Sequence, residues 1–202
     1  QSLKAIVTTN DSTAVGYNAL LLDTGGSNTA VGSGALDANT TGTGNVGIGL
    51  NALGSISTNG QSVAVGSGAL ASATAADNVA VGFNAGTLIT TGIGNIAIGR
   101  SALDADISGV YNVAIGYEAL GSNTAADNVA IGGQALLANT SGTRNTALGR
   151  LTLSSIITAN DSTAIGYNAL ASDTGGSNTA VGSGALDANT TGTGNVGIGL
   201  NA

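Results

Sequence analysis

The feature that most constrains this chain is a nine-residue motif that returns every 16 or 17 residues. "STAVGYNAL" at 12–20 comes back as "NTAVGSGAL" (28–36), "NVGIGLNAL" (45–53), "SVAVGSGAL" (62–70) and "NVAVGFNAG" (78–86). It continues to the end of the sequence, and its central glycine falls at Gly16, Gly32, Gly49, Gly66, Gly82, Gly99, Gly116, Gly132, Gly149, Gly166, Gly182 and Gly199. The spacings run 16, 17, 17 without a slip, so three turns make a 50-residue unit. Residues 10–52 match 160–202 at all but three positions: Val15/Ile165, Leu21/Ala171 and Leu22/Ser172. A short fixed period means that one structural unit is stacked on the next.

The period accounts for "GTGNVG" at 42–47 and 192–197, which matches the glycine fingerprint of a dinucleotide-binding turn. Such a fingerprint needs a helix directly after it and an acid about 20 residues on. Here another copy of the repeat follows, and Gly47 occupies a column that is Ala in most turns, as at Ala14, Ala64 and Ala114. These glycines are turn and packing residues.

Numbered from the motif glycine, position −3 is always Thr, Val or Ile, −2 is Ala or Gly, and −1 is Val, Ile or Leu. That alternation is a strand whose two faces meet different surroundings. The −3 and −1 face is expected to be filled by bulk, and the small −2 and 0 face to approach another backbone closely. Leu stands at +4 in ten of eleven turns, with Gly86 the exception; Ala precedes it, replaced once by Thr152. Asn or Ser at −4 suits a turn side chain that caps free backbone groups. One short strand per turn, with the same sequence each time and no Pro anywhere, predicts an all-β parallel β-solenoid of about twelve turns. Residues 1–202 then form a single repeat domain, a rod on the order of 55–60 Å long.

Composition says how such a coil is filled. The chain has 34 Gly, no Cys, His, Met or Trp, one Phe and four Tyr, so it cannot build a core from aromatics and Met. About three large aliphatics per turn bury little for the 16 residues that must be ordered. Association of several coils through the Ala/Gly face is therefore expected, and Ala114→Leu is expected to disrupt that assembly. Eleven acids against four bases (Lys4, Arg100, Arg144, Arg150) argue against a nucleic-acid partner. No apolar run is long enough for a membrane span.

The "N-[STV]-A-[VI]-G-x-x-A" turns, as in "NVAIGYEAL" (112–120), closely resemble the YadA-type head repeats of trimeric autotransporter adhesins. Similar repeats occur in bacteriophage tail-fibre and other surface-fibre proteins. The resemblance covers nearly the whole chain. It implies a left-handed parallel β-roll, three chains side by side as a homotrimer, and attachment to a host surface or matrix ligand. The setting it implies is extracellular: a virulence factor at a bacterial outer membrane, or a virion fibre. These turns are slightly longer than the shortest family repeats, and the neck, coiled-coil stalk and anchor of a complete adhesin are absent from the 202 residues.

An enzyme is not expected, nor a cofactor or metal. Without His or Cys only carboxylates, Ser, Thr, Tyr and Lys4 remain for catalysis. Asp77 and Asp127 share a column, three rungs or about 14 Å apart, too far for paired-carboxylate chemistry. Asp23 and Asp173 share another, as do Asp37 and Asp187; all are read as turn caps and solubilising surface. An ice-binding solenoid is a rival reading, with Thr40, Thr41, Thr43, Thr190, Thr191 and Thr193 as its hydroxyls, but they form no uninterrupted rank. The most variable column is +1, and from it Tyr17, Phe83, Arg100, Tyr117, Arg150 and Tyr167 are the candidate partner-contact residues, with packing against a neighbouring chain as the alternative. Neither end carries an atypical covering sequence. The segment is thus expected to belong to a longer fibre, or to stack end to end.

Overall fold

The computed structural model describes residues 11–202; the part-repeat at 1–10, with Lys4, lies outside the described residues. Twelve three-residue strands, from β1 (Thr13–Val15) through β7 (Val113–Ile115) to β12 (Val196–Ile198), form one sheet in sequence order. Every pairing is parallel and in register, motif on motif: Val113 lies beside Val129, Ala114 beside Ala130 and Ile115 beside Ile131. The described chain is an all-β parallel β-solenoid of eleven full turns between its twelve rungs, without a helix.

Four corners close each turn, and each takes a positive φ. The motif glycine has φ of +135° at Gly116, where a Cβ would lie 2.6 Å from the carbonyl carbon of Gly132 in the next rung. No side chain fits in that space. Positions −5, +2 and +4 are left-handed as well, in the same rung at Tyr111 (φ 57°), Glu118 (52°) and Leu120 (51°). The left-handed corner at +4 turns Leu into the coil, and Leu120 is fully buried. At Gly86, which replaces it once, Ile89 three residues later occupies the interior: a Cβ on Gly86 would lie 2.9 Å from the Ile89 Cδ1.

This geometry reverses the expected facing of the strands. The core is built from Ala at −2 (Ala30, Ala64, Ala114), Ala at +3 and Leu at +4, completely buried except toward the ends, where Ala14 and Leu186 are partly buried. The −3 and −1 side chains point out: Ile98 is 36% exposed and Leu148 43%. The coil is too thin to hold them. At Gly47 in the −2 column a Cβ would already lie 3.2 Å from Leu36 of the preceding turn. The Ala column is therefore interior, not the face through which copies meet, and an Ala114→Leu side chain would grow into its own coil. Each turn buries one large aliphatic at its recurring Leu, joined in two turns by Ile56 and Ile156, fewer than the three expected.

Polar groups complete the interior. The −4 Asn and Ser residues run as a buried ladder in which each side-chain oxygen accepts the backbone N–H of the next rung. Asn112 N donates to Asn95 Oδ1 (2.9 Å), Asn128 N to Asn112 Oδ1 (3.0 Å) and Asn145 N to Asn128 Oδ1 (3.0 Å). The capping role read from the sequence is thus carried out between rungs. Asp23 and Asp173 are not solubilising surface: both are buried, and Asp23 accepts hydrogen bonds from Ser12, Gly25 N, Asn28 and Asn39.

Candidate functional surface

Four columns of the outer face follow one another around each turn: −5, −3, −1 and +1. The middle two form a double rank in which −1 is aliphatic in every rung and −3 in seven of twelve, with Thr in the other five (Thr13, Thr29, Thr146, Thr163, Thr179). Over eleven intervals of about 4.8 Å and two columns of side chains, this strip covers roughly 500–700 Å². The largest apolar patch of an ordinary monomer is about 300–600 Å². Parallel sheets are normally covered on both faces; here one face is covered by the coil itself and the other lies open.

The +1 column borders this strip on one side, and its side chains are exposed as its variability implied: Tyr17 68%, Phe83 52%, Tyr117 47%. Three of the six candidate residues come together. Phe83, Arg100 and Tyr117 lie on consecutive rungs, with the Arg100 guanidinium carbon 5.9 Å from both ring centroids. Cation–π attraction of this kind contributes about 0.5–1 kcal/mol at exposed sites. Beside it, Glu118 accepts a hydrogen bond from Gln134 (3.0 Å). Its carboxyl is held below the usual range, first by the Tyr117 hydroxyl and then by Gln134, while the same contact pushes the Tyr117 phenol up. Arg150 and Tyr167 also occupy consecutive rungs, and Tyr17 stands far from both groups. Arg100 thus lies between the two rings and covers one face of each.

The −5 column borders the other side and is exposed at Asp77, Tyr111, Asp127, Arg144 and Asp161. Arg144 and Asp161 form a two-pronged ion pair, Nε to Oδ1 at 2.6 Å and Nη2 to Oδ2 at 3.0 Å. That pairing lowers the Asp161 carboxyl and raises the Arg144 guanidinium. Sequence reasoning missed this rank and the outward double rank beside it. The signal for the second was present, since −1 is aliphatic in every turn, but the same regularity serves a core equally well.

The threonines of "ANTTGTG" are divided in role. Thr40 donates its hydroxyl to the Ser57 carbonyl of the next rung (3.0 Å), and Thr90, Thr124, Thr140 and Thr174 make the equivalent bond. Thr41 and Thr43 stay exposed. Among the described residues no helix is long and apolar enough to cross a membrane.

Fold and surface define a class: a thin parallel β-solenoid with an apolar outer strip edged by polar columns. No family model, curated protein or solved structure matches the chain.

Proposed function

We propose that this solenoid is a segment of an extracellular structural or adhesive fibre in which identical coils lie side by side. The observation that carries the reading is the open aliphatic double rank at −3 and −1. A strip of that size in water is a standing drive to associate. A surface that repeats every rung is matched along its length by a surface of the same repeat, which a second copy supplies. The resemblance of the turns to adhesin head repeats supports a homotrimer and a left-handed coil, presented at a bacterial or virion surface toward a host or matrix ligand. The +1 column is then a rim, where Phe83, Arg100 and Tyr117 contact either a neighbouring copy or that ligand.

The test is sedimentation of the wild type against Ile115→Lys. Ile115 lies on the outer face, so the variant is expected to keep its β circular dichroism and to sediment as a smaller species. A wild type that is a folded monomer at micromolar concentration defeats the reading. Retention on immobilised matrix proteins then tests adhesion, and a thermal-hysteresis assay is expected to be negative, since many Thr hydroxyls are already spent on rung-to-rung bonds.

A further inference from the structure

The two columns that edge the apolar strip differ in charge. The −5 column carries Asp11, Asp77, Asp127 and Asp161, and its one base, Arg144, is paired with Asp161 and more weakly influenced by Asp127 on the rung before it. The +1 column carries Arg100 and Arg150 and no acid. Among the described residues neither arginine makes an ion pair or a side-chain hydrogen bond, and neither Asp77 nor Asp127 accepts a side-chain hydrogen bond. Glu118 lies near Arg100 and acts on it coulombically without forming an ion pair, and its carboxylate accepts a hydrogen bond from Gln134.

Position along the coil sharpens this complementarity. Asp77 stands one rung before Arg100, and Asp127 stands one rung before Arg150. Both pairs obey the same offset because each partner recurs with the 50-residue unit. One rung is about 4.8 Å, within reach of an arginine side chain.

We infer that the coils associate with their axes parallel, the +1 edge of one copy against the −5 edge of the next, Arg100 meeting Asp77 and Arg150 meeting Asp127 of the neighbour. Rotation about an axis parallel to the coil carries one edge onto the other at equal height, leaving only the one-rung step for the arginines to span. An antiparallel pairing sets −5 against −5, acid against acid, and leaves both arginines facing +1. With the edges included, the face spans about 20 Å by 53 Å, roughly 1,000 Å² per copy. A standard stable interface buries about 800 Å² per partner. The aliphatic strip supplies the drive, and the edge charges set direction and register, as charges at interface rims do.

This assignment rests on side-by-side association, and cross-linking tests it separately. The chain has no Cys, so Asp77→Cys and Arg100→Cys each introduce one exposed thiol outside the core. The two variants are mixed, co-refolded and treated with a short bis-maleimide. The expected product is a cross-linked pair containing one chain of each variant, several-fold more abundant than the product of either variant alone. Preferential coupling of Arg100→Cys chains to one another, in a preparation that sediments as an oligomer, overturns the parallel edge pairing and leaves association standing. A monomer by sedimentation overturns both. As a second arm, Arg100→Asp with Arg150→Asp is expected to weaken association, and Asp77→Arg with Asp127→Arg in the same chain to restore it. Failure of the swap to restore association also overturns the pairing.

Discussion

At the scale of single residues, this fold depends on side chains placed where their type is unusual. Leu at a left-handed corner costs about 1–2 kcal/mol relative to a right-handed one, and the chain accepts that cost in nearly every turn because it puts the branched side chain at the centre of the coil. Asp106 is a second such residue. It is buried, accepting from Gly109 N (2.7 Å), Asn112 (3.2 Å) and Asn123 (3.1 Å). Burial nonetheless raises its carboxyl above the ordinary value of 3.8, because donors from neutral amides only partly replace water. A raised folded-state value means that the native protein takes up a proton where the unfolded chain does not. Asp106 therefore adds stability as pH falls through the window just above 3.8, and that contribution is lost as pH rises past the folded value. Denaturant titrations of wild type and Asp106→Asn should show the difference between them moving in the wild type's favour as pH is lowered into that window. A difference that stays constant from neutral pH downward would remove Asp106 as its source.

At the scale of the rung, side chains do part of the work of a ladder. Asn112 accepts from Asn128 N (3.0 Å) and donates to Ala125 O (2.7 Å) and Asp106 (3.2 Å). Asn112→Ala leaves the Asn128 N–H unpaired, while Asp106 and Ala125 O keep their bonds from Asn123, and it is expected to cost about 1–3 kcal/mol. Asn112→Ser is expected to cost less, since Ser62 and Ser162 hold the same column and accept the next rung's N–H at 3.3 Å. Chemical denaturation of the two variants checks the order. That column was legible in the sequence because only Asn and Ser fill it, and both are side chains that cap backbone. The strands were legible too, from their period of two. What the period does not encode is which face turns inward. Here the answer lies in the φ of the motif glycine and of Leu at +4, and nothing about leucine announces a left-handed backbone. The edge columns divided similarly: variation in +1 marked it as exposed, whereas the −5 residues read as ordinary turn residues until the coil set them beside the strip.

At the scale of the whole molecule, the coil has little depth and much length, and its cohesion runs along one direction. Within the strands and at the 0, +2 and +4 positions the backbone N–H donates to a carbonyl of the rung above or below: Gly116 N to Ile98 O (2.7 Å), Gln134 N to Tyr117 O (2.8 Å), Leu120 N to Ala135 O (3.0 Å). These bonds lie along the axis of the rod, so they set its mechanics. A load applied through the chain opens the bonds of one rung before the next comes under strain, and the rod gives way as a zipper does. Pulled in an optical trap, a single coil should lengthen in small, similar steps. Each step frees the 16 or 17 residues of a turn, roughly 55–60 Å of extended chain. Coils joined through the aliphatic strip would share the load across their width and yield at higher force. A fibre built this way dissipates a tug in many small losses and can rewind between them, which suits a tether better than a strut.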